Sequence, residues 1–226
     1  MKKIVLFFSL VFVLFICVGF KEKIANYVMN DKMSNLYFAK KDNECLVNNV
    51  TDRKEIVLGY IGSINNIIDI ETIGSIVKQI KEHVPVILHI IGDGEKREEF
   101  IKLCQESGAL VKYHGVIYET KKKAEILGIC DFGLNIMKDT VCVGLTMKSI
   151  DYMAVGLPLI NNIHGDTWQI VERNRLGVNY PFEIESLISL RGRFETRMKT
   201  RKFFEEYFSS NAFEKKMDEI MMKVRD

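Results

Sequence analysis

The sequence predicts an α/β protein in which a parallel sheet carries helices on both faces and is followed by C-terminal helices. Two observations support this prediction. From Lys54 onward, short apolar runs alternate with amphipathic segments at the spacing of right-handed strand–helix–strand units. From Ile184 to Asp226 the chain instead shows helical periodicity and many charges, so this last part is predicted to add helices rather than strands.

Apolar runs are predicted to form the strands of the sheet. In chain order they are Ile56–Gly62, Val84–Ile91, Val111–Ile117, Phe132–Met137, Leu157–Asn161 and Val178–Tyr180. Short apolar runs of this length, bounded by turn residues, are typical of buried strands.

Amphipathic segments between these runs are predicted to form helices. They are Asp69–His83, Glu95–Ser107, Thr120–Cys130, the segment that follows Gly144, and Trp168–Asn174. In the first of them, apolar residues recur at Ile70, Ile73, Ile76, Val77 and Ile80, which is a helical period. Gly108 is expected to end the second helix, because glycine readily adopts the left-handed conformation that terminates helices.

The C-terminal part is predicted to form two closing helices. Ser209-Ser210-Asn211 marks the break between them and supplies a helix cap before Ala212. A basic run precedes the break and consists of Arg191, Arg193, Arg197, Lys199, Arg201 and Lys202. This run is interpreted either as a solvated helix face or as a contact for anionic lipid headgroups or an anionic acceptor.

The composition excludes several classes of protein. With 226 residues and a formal net charge of +2, the chain lacks the strong positive charge of a nucleic-acid-binding protein, and no Lys/Arg block in it is interleaved with aromatic residues. Five cysteines occur with no CxxC pair, and four histidines occur with no HxxxH spacing. These patterns predict free thiols rather than a disulfide framework or a zinc site, so neither a metal nor another cofactor is expected.

The N-terminal segment allows two interpretations. The apolar run Ile4–Phe20 follows Met1-Lys2-Lys3 and fits a signal peptide or a short membrane anchor, at the short end of the ~17–25 residues that a span needs. Alternatively, Phe15–Gly19 is a buried strand and Phe20–Met29 is a helix. The predicted organisation is an N-terminal segment over 1–53, a sheet domain over 54–181 and C-terminal helices over 182–226.

The segment Gly144–Ile160, GLTMKSIDYMAVGLPLI, gives the strongest prediction of a ligand site. In an α/β protein, the N-terminus of such a helix faces the carboxyl edge of the sheet, where phosphates bind. Lys148 and Asp151 are three residues apart and therefore share one face of the helix. We expect the amides at the helix start to bind a nucleotide diphosphate, with the ribose hydroxyls one turn further on.

Short motifs follow one another along the predicted sheet domain. They are Gly62-Ser63, Gly92-Asp93-Gly94, His114-Gly115-Val116, Cys130-Asp131 and Lys148-x-x-Asp151-Tyr152-Met153-Ala154-x-Gly156-Leu157-Pro158. Their order resembles the C-terminal, donor-binding half of family-4-type glycosyltransferases, and the similarity covers about residues 55 to 180. The resemblance implies a Rossmann-like domain, the second domain of the GT-B fold.

The resemblance also implies roles for individual residues. Asp151 falls where the family binds the ribose hydroxyls, and Lys148 replaces the cations that usually neutralise the diphosphate. Val143 stands where a glutamate contacts the donor sugar, and Ser63 stands where an arginine is usual. The catalytic residues would be Lys148 and Asp151, and the nucleotide-sugar-binding residues would be Gly62, Ser63, Val116 (beside the base), Gly144, Leu145 and Thr146.

The implied function is metal-free transfer of a sugar from a nucleotide-sugar to a saccharide or lipid-linked acceptor, with retention, in bacterial cell-surface polysaccharide synthesis. Because such donors are made in the cytosol, a cytoplasmic location is expected, either free or at the inner face of the membrane. The chain would be a donor half, as a fragment or with a partner that supplies the acceptor half. The alternative, which Val143 favours, is a non-catalytic nucleotide-binding or membrane-anchored interaction protein.

Overall fold

The structure, a computed structural model, describes Lys40 and residues 53–225. The unit Lys40–Ser209 is compact, and the helix Ser210–Arg225 belongs to a second unit. The predicted anchor, signal or strand segment at Ile4–Phe20 lies outside the described residues. Within the described part of the chain, no helix combines the length and the apolar composition that a membrane span needs.

The strands of the larger unit form one sheet, and every pairing in it is parallel. They are β1 (Ile56–Ile61), β2 (Val86–Ile91), β3 (Ala109–Tyr113), β4 (Phe132–Asn135), β5 (Leu159–Asn161) and β6 (Gly177–Asn179). Their order in the sheet is β3-β2-β1-β4-β5-β6. The predicted α/β class, with a parallel sheet, is therefore confirmed.

Helices connect consecutive strands and follow the last one. They are α1 (Ile70–Lys81), α2 (Arg97–Glu106), α3 (Thr120–Gly128), α4 (Met147–Ala154), α5 (Asp166–Asn174), α6 (Ile184–Leu190), α7 (Phe194–Tyr207) and α8 (Ser210–Arg225). The first begins where predicted because the Asp69 carboxylate accepts a hydrogen bond of 2.9 Å from the Thr72 amide, as an N-cap does.

Helices cover both faces of the sheet. On one face, Leu58 and Tyr60 of β1 are fully buried in the main hydrophobic core, to which α1, α2 and α6 also contribute. On the other face, α4 lies so close to β4 that a Cβ on Gly133 would lie 2.5 Å from the ring of Tyr152. Burial on both faces explains why the first strands are continuous apolar runs.

The strand order reverses between β1 and β4. Along the chain, β2 and β3 are added on one side of β1, and β4, β5 and β6 are added on the other. In open parallel sheets of this kind, the connections at such a switch point leave on opposite faces and open a crevice at the carboxyl ends of the two strands. The start of α4, which follows β4, lies at this carboxyl edge.

Two predicted elements differ from the structure. The third strand was expected at Val111–Ile117 but is Ala109–Tyr113, because Gly115 (φ 68°) turns the chain so that its carbonyl accepts a 2.8 Å bond from the Gly92 amide. The first closing helix is divided into α6 and α7, because Gly192 adopts a left-handed φ of 62° that interrupts the helix.

The basic run also differs from its predicted roles: Arg191 donates to the carbonyl of Glu55 at 2.7 Å, and two arginines of α7 face inward. Arg197 is almost completely buried. Its guanidinium donates to the carbonyl of Gly128, the last residue of α3, at 2.9 Å and to the carbonyl of Cys130, two residues further on, at 2.6 Å. Arg201, one turn later, donates to the carbonyl of Ala154, the last residue of α4. Helix C-termini leave carbonyls without helical partners, and cations stabilise them. These arginines therefore fix α7 to two helix ends.

Candidate functional site

The side chain of Lys148 crosses the switch point of the sheet. It extends from the first turn of α4 past Gly62, where a Cβ would lie 3.1 Å from the Lys148 Cε atom. Its ammonium donates a 2.9 Å hydrogen bond to the hydroxyl of Tyr60 and lies 4.5 Å from the centroid of that ring. Gly62, with a φ of 122°, leaves room for this crossing.

The environment of Lys148 favours loss of its charge. Burial lowers the pKa of the Lys148 ammonium from 10.5 to about 8. Among the described residues, its hydrogen-bond partner is a phenol, and no carboxylate forms an ion pair with it. A cation held at a sheet crevice without a counter-charge is suited to receive an anionic group.

Thr146 caps the start of α4. Its backbone is extended (φ −104°, ψ 154°), and its Oγ1 atom accepts a 3.1 Å hydrogen bond from the amide of Ser149. The helix that follows places its positive end at the carboxyl edge of the sheet, and Lys148 lies in its first turn. The amide donors and the ammonium therefore belong to the same helix start.

The loop before α4 is fixed to the start of α5. The amide and the hydroxyl of Thr167 both donate to the carbonyl of Gly144, each at 2.8 Å. Gly165 lies so close that a Cβ on it would be 2.8 Å from the Gly144 Cα. Val143 and Leu145, on either side of Gly144, are half-buried. The loop segment 143–145 is thus held in place by packing within the chain.

Asp151 lies one turn beyond Lys148 and forms an ion pair with Lys40. Its carboxylate lines a pocket between the end of β1, α3 and α4, which also contains Thr120 and Lys123. The rest of the lining is mainly apolar and comes from Ile61 and from residues of the two helices. A ribose that reached Asp151 would have to share or replace the contact with Lys40.

The segments that follow β1 and β2 pack against each other at their glycines, and two of these glycines are explained by backbone packing. A Cβ on Gly92 would lie 1.9 Å from the carbonyl oxygen of Gly62, and one on Gly94 would lie 2.2 Å from that of Ile64. Ser63 is exposed, and its carbonyl accepts a 2.6 Å bond from the Tyr60 hydroxyl. Gly92 and Gly94 are therefore required by the fold whether or not a ligand binds.

The structure brings together only part of the predicted site. Gly62 and Lys148 are in contact, and Thr146 begins the helix that carries Lys148 and Asp151. Val116 is half-exposed in the loop after the edge strand β3 and does not line the Asp151 pocket. The functional roles of these residues stay predictions.

Sequence reasoning did not identify Tyr60, Lys40, Thr120 or Lys123 as site residues. Tyr60 is two positions before Gly62 and belongs to the core-facing side of β1. The alternation of side chains along the strand therefore predicts that Tyr60 is buried, but it does not predict the contacts of its hydroxyl. Lys40 is more than a hundred residues from Asp151 in sequence, and no local pattern could link the two.

The fold is a Rossmann-like α/β fold of the type found in GT-B glycosyltransferases. The family model described as "Glycosyl transferases group 1" matches residues 55–188, which is more than half of the chain. The chain therefore belongs to the group 1 glycosyl transferases. No curated protein gives a significant match to its sequence.

Solved glycosyltransferase structures share the fold. The apo lipopolysaccharide outer core galactosyltransferase WaaB is 17% identical, with a TM-score of 0.64 over 90% of this chain and 59% of its own. HepE of Anabaena, solved with UDP, is 16% identical with a TM-score of 0.55 over 75% of this chain and 49% of its own. TarM is 15% identical with a TM-score of 0.56 over 83% of this chain and 37% of its own. The chain thus spans about half the length of these proteins, and at such identities the likeness concerns the fold.

Proposed function

We propose that the chain supplies the donor side of a sugar-transfer reaction, binding a nucleotide-sugar at the carboxyl ends of β1 and β4. The observation that carries this proposal is the position of the Lys148 ammonium, which lies at the switch point of the sheet with a phenol as its partner. Membership of the glycosyl transferase family makes a nucleotide diphosphate the expected anion there. Nucleotides bind at this edge in parallel α/β sheets generally.

The proposed chemistry is departure of the nucleotide diphosphate from the sugar. The bond between the anomeric carbon and the diphosphate oxygen breaks, and that oxygen keeps the electron pair. The oxygen of the acceptor hydroxyl forms the new bond to the anomeric carbon on the same face, and its proton passes to the departing diphosphate. Negative charge on that oxygen grows toward the transition state, so the Lys148 ammonium and the amides at the start of α4 stabilise the transition state more than the bound donor. These donors supply the charge that would otherwise come from a metal ion, and the proposal includes no cofactor.

Asp151 is proposed to accept hydrogen bonds from the ribose hydroxyls. It lies one turn beyond Lys148 on the same helix, and its carboxylate already lines a pocket beside the end of β1. In the structure, Lys40 forms an ion pair with that carboxylate. Binding of a ribose would exchange one charged partner for two hydroxyl donors, in a pocket that Lys40 and Lys123 also line.

We propose transfer with retention to a saccharide or lipid-linked acceptor of the bacterial cell surface, on the cytoplasmic side. The names of proteins with the same fold support this class of acceptor, since WaaB is a lipopolysaccharide outer core galactosyltransferase. HepE, also of this fold, is known in complexes with UDP and with UDP-glucose, which supports a nucleotide-sugar donor.

The test is a titration of the full chain with UDP-, GDP- and ADP-sugars by calorimetry. We expect one of these donors to bind with a dissociation constant between about 1 μM and 1 mM, a common range for single sites. Lys148→Met should weaken that binding at least tenfold. Lys102→Met is the matched control, because Lys102 is an exposed lysine on α2 whose partner is Glu106. No binding of any donor, or equal binding by both variants, would contradict the proposal.

A second candidate function is nucleotide binding without sugar transfer. Val143 favours it, because its side chain has no group that can accept hydrogen bonds from sugar hydroxyls. Incubating the chain with its bound donor and measuring release of the nucleoside diphosphate separates the two: binding without release, even with added saccharide acceptors, would favour the second candidate.

A further inference from the structure

Three asparagines end the strands on one side of the switch point. Asn135, Asn161 and Asn179 are the last residues of β4, β5 and β6, and they are direct neighbours in the parallel register. Register neighbours in a sheet project from the same face. We call this set the asparagine row.

The side-chain amides of the asparagine row form a chain of hydrogen bonds in one direction. The Asn135 amide nitrogen donates to the Asn161 carbonyl oxygen at 2.9 Å, and the Asn161 nitrogen donates to the Asn179 oxygen at 2.8 Å. Hydrogen bonds aligned head to tail polarise and strengthen one another in a low-dielectric interior. Asn135 and Asn161 have no exposed surface, so water does not compete for these groups.

Each end of the row is attached to the start of a helix. At one end, Asn179 donates to the backbone carbonyl of Trp168 in α5, at 3.2 Å. At the other end, the Asn135 oxygen accepts a 2.7 Å bond from the hydroxyl of Thr146, the N-cap of α4. The row therefore links the first turns of the two helices that follow β4 and β5.

The bond to Asn135 fixes the direction of the Thr146 hydroxyl. A hydroxyl has one proton, and of the two acceptors within reach of Thr146 Oγ1 the Asn135 oxygen, at 2.7 Å, is closer than Ser149 Oγ, at 3.2 Å. The oxygen lone pairs then face the amide of Ser149, which donates to Thr146 Oγ1 at 3.1 Å. The row thus favours the orientation in which Thr146 Oγ1 accepts from the Ser149 amide in the first turn of α4, the turn that carries Lys148.

A second contact fixes the chain between β4 and α4. The side chain of Asn162, next to the row, accepts from the Met137 amide (2.9 Å) and donates to the Met137 carbonyl (2.8 Å). Two such bonds hold the start of the β4–α4 connection to the end of β5. The polar side chains at this edge thus constrain both the loop and the helix to which it leads.

Burying several side-chain amides at the edge of a sheet costs free energy of desolvation. Apolar residues would pack there without any need for partners, whereas each buried amide must be fully hydrogen-bonded. Unlike apolar side chains, amides form hydrogen bonds with a defined direction. A defined direction is needed at the N-cap, where the Thr146 hydroxyl must be oriented.

We propose that the asparagine row is a positioning network for the donor site. It orients the Thr146 cap so that the amides and the Lys148 ammonium at the start of α4 are held ready for the diphosphate. Its members act through Thr146 and do not touch the ligand themselves. The inference rests on the proposed function, since it concerns the phosphate contacts of that same site.

The test uses inorganic pyrophosphate as the probe and the full chain throughout. Asn161→Leu interrupts the row at its centre, and we expect the dissociation constant for pyrophosphate to rise by about 3- to 30-fold, the range of coupling between residues of one network. Ile160→Val is the control, because Ile160 is the neighbouring residue of β5 and faces the main core. That variant should bind within about twofold of the wild type.

A double-substitution cycle distinguishes positioning from general loss of stability. Thr146→Val removes the hydroxyl at the end of the chain of bonds and should weaken binding as Asn161→Leu does. The double variant should bind pyrophosphate no more weakly than the single variant with the lower affinity, because both substitutions break the same chain of hydrogen bonds. Amide exchange of Ser149 in the ligand-free protein should accelerate in both single variants and not in Ile160→Val. If Asn161→Leu does not fold, Asn179→Ala, at the half-buried end of the row, should give the same pattern with smaller changes.

The outcomes separate the two proposals. If the wild type binds pyrophosphate and Asn161→Leu binds it equally well, or if the double variant shows additive losses, the positioning role is wrong and the donor site stands. If the wild type binds neither pyrophosphate nor any nucleotide-sugar, the proposed function fails and the positioning role fails with it.

Discussion

The ammonium of Lys148 lies 2.9 Å from the hydroxyl of Tyr60 and 4.5 Å from the centroid of its ring. Tyr60 belongs to β1 and Lys148 to α4, so the contact joins the two sides of the switch point across Gly62. The Tyr60 hydroxyl donates to the carbonyl of Ser63, which leaves its oxygen free to accept from Lys148. Burial raises the pKa of Tyr60, so the phenol stays neutral and does not compensate the lysine charge.

Donor binding should weaken as the pH rises through the pKa of Lys148. Burial lowers that pKa to about 8 in the free protein, and a bound diphosphate raises it, so binding takes up a proton above pH 8. The dissociation constant measured by calorimetry should rise about tenfold between pH 7 and pH 9. In Lys148→Arg, whose side chain stays protonated in this range, it should stay level. An equal rise in both proteins would mean that another group controls binding.

The roles of Asp151 and Lys148 can be distinguished by which ligands bind more weakly when each residue is replaced. Asp151→Ala should weaken nucleotide-sugar binding by about 1–3 kcal/mol, because a charged acceptor for the ribose hydroxyls is lost. It should not weaken the binding of inorganic pyrophosphate, which has no ribose. Lys148→Met should weaken the binding of both ligands. Loss of pyrophosphate affinity in Asp151→Ala, with folding intact by circular dichroism, would show that Asp151 does not act on the ribose.

Gly92→Ala should destabilise the protein strongly. The added Cβ would lie 1.9 Å from the carbonyl oxygen of Gly62, and the φ of 143° is one that alanine rarely adopts. A loss of more than about 3 kcal/mol in urea denaturation is expected. Gly128→Ala is the matched control, since Gly128 is helical and a Cβ on it meets no atom within 4 Å. That variant should be stabilised by about 0.5–1 kcal/mol.

Arg197→Met should show that part of the basic run is structural. The substitution leaves the carbonyls of Cys130 and Gly128 without their guanidinium donors in a buried place, at a cost of about 2–4 kcal/mol in denaturant unfolding. Lys199→Met, two residues later on the exposed side of α7, loses only a surface ion pair with Glu195 and should change stability by less than about 0.5 kcal/mol. Equal effects would contradict the capping role.

The sequence predicted most of the sheet because its signals are local. The continuous apolar run of β2 and the helical period of α1 each specify their element without reference to the rest of the chain. Where a tertiary bond decides a boundary, the prediction was wrong: β3 ends early because the carbonyl of Gly115 turns to the amide of Gly92. Gly192 is a local signal for the break between α6 and α7, but the helical periodicity on both sides of it favoured one continuous helix.

The site was less predictable because its contacts join distant residues. The helix start at Thr146 and the shared face of Lys148 and Asp151 follow from spacing alone. The partners of these residues do not: Tyr60 is 88 residues from Lys148, and Asn135 meets Asn161 only through the register of the sheet. Two of the basic residues faced inward, because a charge pattern does not show which helix ends lie nearby.

The most direct measurement is a crystal structure of the full chain with a bound nucleoside diphosphate, chosen from UDP, GDP and ADP by affinity. The account predicts a phosphate oxygen within about 3 Å of the Lys148 ammonium, the distance of a charge-assisted hydrogen bond, and the same diphosphate at the first turn of α4. A nucleotide bound elsewhere on the chain, with the Lys148 ammonium still on the Tyr60 hydroxyl and no phosphate beside it, would contradict the account.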